Sequence, residues 1–191
     1  MRRVQPLVFM VASLFLLAQP LAGQRFPAFG GGEVRAGIVL PDDAERAVGI
    51  GLEVDLGRFL PLTRVFVGGL GFDADVDRLI GERQVTGDIA VRGGRAGIRL
   101  EPLGTRAFTP YFAGALNVFS VSADADQPGD QDDIEAVYEG TYLGLSVAAG
   151  GVYPLDATRQ VLGFVELRRA FVSTVGHWAL DAGLRLRLRS P

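Results

Sequence analysis

Trp178-Ala-Leu-Asp-Ala-Gly-Leu-Arg-Leu-Arg-Leu-Arg189 is the stretch from which the rest of the chain is read. Trp178, Leu180, Ala182, Leu184, Leu186 and Leu188 fall on one parity. Ala179, Asp181, Gly183, Arg185, Arg187 and Arg189 fall on the other. Period two over twelve residues gives a strand with one apolar and one charged face. A soluble sandwich hides the apolar face and shows the charged one. A transmembrane barrel does the reverse, with the apolar face on lipid and the charged face on the lumen. Twelve residues suits a tilted membrane strand, which needs roughly 9–11.

Working outward, seven further stretches alternate in the same way: Gly32 to Leu40, Ala47 to Gly57, about Arg64 to Ala74, about Gly87 to Leu100, about Ala107 to Val121, about Tyr138 to Tyr153, and Gln160 to Phe171. In the third, Phe66, Leu70 and Phe72 share a side, but Val65 and Val67 leave its faces ambiguous. In the fourth, Ile89 and Val91 share one parity while Ala96, Ile98 and Leu100 share the other. A β-bulge is therefore expected at Gly93-Gly94. The second, fourth and sixth connections are short turns. The third (Asp75 to Thr86) and fifth are long and polar, and the first and seventh are modest. Short turns at one rim and longer loops at the other, with an even strand count, predict an all-β fold: an eight-stranded antiparallel up-and-down transmembrane barrel.

Under that assignment the inward face holds Glu33, Arg35, Glu53, Asp55, Asp88, Arg92 and Arg95. It also holds Arg99, Glu166, Arg168, Asp181, Arg185, Arg187 and Arg189. On lipid, each Arg at the midplane would cost about 2–4 kcal/mol. In a narrow lumen, arginines pair with carboxylates, often bidentately. The interior of an eight-stranded barrel is filled by side chains, so the charges predict a networked plug rather than a wide pore.

The 191 residues include no Cys and one His, and every basic residue is Arg. No disulfide framework or thiolate metal site is possible, and no cofactor is called for. Residues 1–23 read as a cleaved secretory signal of the Sec pathway. Arg2 and Arg3 lead the apolar run Leu7 to Ala18, and Leu21-Ala22-Gly23 offers the cleavage site. Gln24 stands where a lipoprotein would carry Cys. The mature domain is then 24–191, and losing two arginines takes the formal charge from −3 to −5. That balance speaks against nucleic acid as a partner.

A leader, eight alternating strands and the segment Thr109-Pro110-Tyr111-Phe112-Ala113-Gly114-Ala115-Leu116 resemble the OmpA/OmpX-type small outer-membrane barrels. The segment is similar to the Pro-Tyr-x-x-x-Gly strand opening common there. The chain departs from that pattern at its end, where Leu188-Arg189-Ser190-Pro191 replaces a final aromatic residue. The resemblance implies a monomer in the outer membrane of a Gram-negative-type envelope. Its partners would be outer-membrane lipid, lipopolysaccharide and the barrel-assembly machinery.

Chemistry beyond this is sparse. His177, with Ser173 or Glu166 as the nearest partners, is a candidate for a lipid-modifying centre; the blander reading makes His177 and Trp178 members of an interfacial belt. Asp124, Asp126, Asp130, Asp132 and Glu135 fall at EF-hand ligand spacings, but Pro128 occupies a donor position, and a solvated acidic loop is the stronger reading. Asp73, Asp75 and Asp77 form a weaker cluster of the same kind. The sequence therefore favours a non-enzymatic structural or surface-interaction barrel acting through acidic loops. A lipid-modifying enzyme and a narrow conduit for small solutes are the alternatives.

Overall fold

The computed structural model describes residues 29–60, 62–80, 83–101, 107–127 and 129–188. The leader read at residues 1–23 and the inward position read for Arg189 lie outside them. Eight antiparallel strands close into a barrel in sequence order: β1 (Gly31–Pro41), β2 (Ala47–Leu60), β3 (Thr63–Ile80), β4 (Arg83–Leu100), β5 (Thr109–Ala125), β6 (Gly140–Pro154), β7 (Val161–Phe171) and β8 (His177–Arg187). One short helix, α1 (Gln131–Tyr138), follows β5. β8 pairs back onto β1 with Glu33 opposite Arg185 and Val34 opposite Leu184. Closure removes the open edges that a free sheet would expose.

Alternation along β8 follows the quoted stretch. Ala179, Asp181 and Arg185 are buried, while Trp178, Leu180, Leu184 and Leu186 are exposed. The same exposed apolar set continues around the wall through Val34, Ile50, Leu52, Leu116, Leu145 and Leu167. So many large apolar side chains on the outside, over a charged inside, is the inverse of a water-soluble barrel.

The sheet rises well above this band. β3 and β4 are 18 residues each and pair without a break from Thr63↔Leu100 to Ile80↔Arg83. The polar loop expected at Asp75 to Thr86 is therefore a continued hairpin. No bulge interrupts Gly93-Gly94 either: inward positions run Val85, Ile89, Val91, Arg95 and Arg99, all of one parity. What changes along the strand is the chemistry of the two faces, and the register stays fixed. The register shift on β2 and β3 lies instead between Asp55 and Leu60. There Gly57 takes a φ of 92°, and its N–H donates to Asp55 Oδ1 at 2.7 Å.

The fifth connection is also more ordered than expected. β5 continues to Ala125, and α1 folds back over the mouth. Ile134 and Tyr138, four residues apart and so on one helix face, are both fully buried, while Asp132 and Asp133 face out. Gln131 ties the helix to β5, accepting from Ala125 N–H at 2.8 Å and donating to the Ala123 carbonyl at 3.1 Å. Two acids in the first turn complement the positive end of the helix dipole. Gly87 makes room for the docking: a Cβ there would lie 2.8 Å from Ile134 Cδ1.

Candidate functional site

The interior has two storeys. The lower one, level with the apolar outer band, is built on charge. Arg35 is its hub: Nη1 donates to Glu166 Oε1 at 2.7 Å and to Asp181 Oδ2 at 3.4 Å, and Nη2 meets Glu33 and Glu53. Arg185 Nε donates to Glu33 Oε2 at 2.7 Å. Arg99 Nη2 donates to Glu53 Oε1 at 3.1 Å. Arg168 donates to Asp181 Oδ2 through Nε and Nη2 at 3.3 and 3.2 Å. Tyr111 donates its hydroxyl proton to Glu166 Oε2 at 2.9 Å.

Aromatic rings separate the guanidinium groups. Arg99 stands between Phe66 and Tyr111 at 5.1 and 5.0 Å, and Arg35 and Arg185 both lie over Phe164. Such contacts disperse positive charge where water is scarce. Inward glycines leave space for these rings: a Cβ on Gly183 would sit 2.7 Å from Phe164, and one on Gly150 would sit 2.8 Å from Tyr111.

Of the residues read as inward, Glu33, Arg35, Glu53, Asp55, Arg95, Arg99, Glu166, Arg168, Asp181 and Arg185 are buried together here. Arg187 is half-buried at the short-turn mouth, donating to both Glu101 oxygens at 2.8 and 2.9 Å. Asp88 and Arg92 are corrections: both are exposed on the outer face. Arg92 donates to the Phe72 carbonyl at 2.9 Å and pairs with Asp73 at 2.7 Å. They lie above the apolar band, where the outside is polar and the inside is not. Two members were missed by sequence reading. Arg64 donates to Asp55 Oδ2 at 2.6 Å, and Glu101 joins Arg185 and Arg187. Parity was the available signal, since Arg64 is in phase with Phe66, and Glu101 with Arg99.

The upper storey is apolar inside. Phe72, Val76, Val85, Ile89, Val91 and Phe119 form its core, which α1 covers with Ile134 and Tyr138. His177 sits at the floor, fully buried and edge-on to Phe72 and Phe119 at 5.2 and 5.8 Å. Its Nε2 lies 3.3 Å from Arg168 Nη1 and its Nδ1 lies 2.9 Å from the Val175 carbonyl. Arginine can only donate, so Nε2 accepts and Nδ1 carries the proton. Both nitrogens are occupied, Ser173 is exposed, and no bond joins His177 to Ser173 or Glu166. His177 is thus buried inside the barrel rather than in an interfacial belt and is bonded to neither Ser173 nor Glu166, whereas Trp178 does face out.

Outside, the upper storey is acidic: Asp73, Asp75, Asp77, Asp88, Asp124 and Asp126 are exposed. Asp75 opposes Asp88, which opposes Asp124. The EF-hand-like spacing is not realised as a loop, because Asp124 is on β5 while Asp132 and Glu135 are on α1, and Glu135 accepts from Gln131 Nε2 at 2.5 Å. Among the described residues no group of three or more acids and histidines is arranged to hold a metal ion. At the boundary between storeys, Arg169 clamps Asp42 with bonds of 2.6 and 2.7 Å. Those bonds hold the exposed Asp42 carboxyl below its usual pKa.

No family model matches the chain, and no curated protein sequence is similar to it at a significant level. Solved structures are similar. Neisserial surface protein A matches with a TM-score of 0.60 and 16% identity, over 82% of this chain and 96% of that one. The outer membrane protein OprG from Pseudomonas aeruginosa matches with a TM-score of 0.62 and 16% identity, over 85% of this chain and 98% of that one. The likeness is one of fold. It sets the closed eight-stranded antiparallel barrel beside small barrels of the outer membrane, the kind of fold the alternation along the strands implied.

Proposed function

We propose that the protein is a monomeric outer-membrane barrel with a shut interior, whose working surface is the acidic cap standing above the lipid. One observation carries this reading. Along β5, with no break in register, Phe112 and Leu116 face out over an interior of Tyr111, Ala113 and Asn117, while Ser122 and Asp124 face out over Val121 and Ala123. A wall that is apolar at one level and acidic at the next fits a lipid layer ending between them. The leader at residues 1–23 supplies the export route, and the assembly machinery would insert the barrel. The acidic cap would meet lipopolysaccharide headgroups and molecules beyond the cell, a structural or surface-interaction role. Two closures in series, charged below and apolar above, argue against a conduit. His177, engaged on both nitrogens, gives no support to a lipid-modifying enzyme.

The absence of Cys makes the test simple. Asp133→Cys on α1 and Ala157→Cys in the β6–β7 turn place a thiol at opposite rims. In intact cells a membrane-impermeant maleimide is expected to label the first and spare the second, with both in the outer-membrane fraction. Equal labelling, or recovery in the soluble fraction without detergent, would overturn the reading.

A further inference from the structure

The deepest layer of the interior does not balance. Arg35, Arg95, Arg99, Arg168 and Arg185 share Glu33, Glu53, Glu166 and Asp181, five cations against four anions. Asp55 and Glu101 lie nearer the short-turn mouth, where they serve Arg64 and Arg187; Glu101 reaches Arg185 at only 3.3 Å. A guanidinium does not shed its proton to settle the difference. Unpaired charge at such depth costs several kcal/mol, so the surplus calls for a counter-charge.

The surplus sits on Arg95. Its side chain is 1% exposed and packs over Phe66 at 4.9 Å. Nε stops 3.5 Å from Glu53 Oε2 and Nη1 stops 4.0 Å from Glu166 Oε1, and neither nitrogen finds a hydrogen-bond acceptor. Glu166 gives both oxygens to Arg35 and Tyr111, and Glu53 gives Oε1 to Arg35 and Arg99, so that only its Oε2 faces Arg95, beyond hydrogen-bond reach in this geometry. Arg35 and Arg168 add positive charge to the same neighbourhood. The imbalance also shows in the bonding. Among the described residues the unpartnered buried side-chain atoms are guanidinium nitrogens of Arg35, Arg95, Arg99, Arg185 and Arg187, against a single carboxylate oxygen, Glu53 Oε2.

We infer that the charged layer binds one small monovalent inorganic anion of halide size at Arg95. The chemistry selects it. The site offers donors and positive charge, so its ligand accepts hydrogen bonds and carries negative charge. A lumen filled by side chains admits only a small ion. Water would bring two donors to a layer already rich in donors and would leave the charge uncancelled. The inference concerns the interior alone and stands apart from where the barrel resides.

An anion bound only by the folded barrel stabilises it by mass action. Thermal unfolding of the detergent-solubilised protein, at fixed ionic strength, is followed as sodium gluconate is replaced by sodium bromide. The midpoint is expected to climb with bromide for the wild type and for Arg92→Gln, whose arginine is on the outer face. It is expected to stay flat for Arg95→Gln. Crystals grown in bromide are expected to show an anomalous peak against Arg95 Nε or Nη1, an outcome that holds even if the variant fails to refold. A wild-type midpoint indifferent to bromide, a bromide response surviving in Arg95→Gln, or bromide peaks confined to the surface would each overturn the inference.

Discussion

The two storeys are made from the same eight strands, yet they solve opposite problems. The lower one shows Leu, Val and Phe outward and keeps arginine and carboxylate within; the upper one shows aspartate outward and packs Phe72, Ile89 and Val91 within. In the lower storey, hydrogen bonds and ion pairs run through the interior between small apolar clusters around Phe66 and Phe164. In the upper storey ordinary burial suffices, and α1 completes the core. The interior thus changes from charged to hydrophobic within a few residues of each strand, with no change in backbone pairing.

The largest effect is expected in the lower storey. Glu166 is fully buried and serves Arg35 and Tyr111. Glu166→Ala is expected to cost about 3–5 kcal/mol in denaturant unfolding, because a buried guanidinium loses its partner. Planar-bilayer conductance is expected to stay at the wild-type level, because the apolar storey still closes the mouth; a rise in leakage would show that the charged layer alone seals the barrel.

Next comes one substitution made at two heights on the outer wall. Leu184→Arg is expected to cost about 2–4 kcal/mol, as for an arginine on lipid near the midplane. Ser122→Arg, outward on β5 above the band, is expected to change stability by less than about 0.5 kcal/mol. Equal costs for the two would erase the distinction between storeys.

Ile134→Ala probes the cap. A buried Ile truncated to Ala costs about 2–5 kcal/mol, and the lower end is expected because α1 can undock alone. Faster amide exchange confined to residues 131–138, with β1–β2 protection unchanged, is the accompanying signature. The smallest effect belongs to Asp42–Arg169, an exposed pair worth about 0–1 kcal/mol. The folded-state pKa of Asp42 is depressed, so its contribution is present above the ordinary aspartate pKa and fades as pH falls through the lowered value. Asp42→Asn is expected to flatten that acid limb of the stability curve, most visibly at low salt.

Much of the lower storey was legible because lipid outside and charge inside mark the two parities of a strand unmistakably, as at Leu184-Arg185-Leu186-Arg187. The upper storey was not, because its pattern is that of a soluble sheet. Applying one orientation rule to all of β4 placed Asp88 and Arg92 inward and forced a bulge at Gly93-Gly94, when the solvent outside had changed and the register had not. The helix was hidden for a different reason. Gln131–Tyr138 is two turns long and acidic, too short to stand on its own propensity. What holds it is Ile134 packed over Gly87, a contact between residues far apart in sequence. Arg64 and Glu101 were hidden at strand ends, where alternation is too brief to fix a face.

The inversion itself can be measured on one strand. Leu116 and Asp124 both face outward on β5, eight residues apart. A nitroxide attached at Leu116→Cys and, separately, at Asp124→Cys, in protein reconstituted into bilayers, reports collisions with oxygen, which concentrates in lipid, and with a nickel chelate confined to water. The label at 116 is expected to relax strongly with oxygen and weakly with nickel, and the label at 124 to do the opposite. Strong nickel relaxation at both positions would make the barrel a water-soluble one and contradict the account.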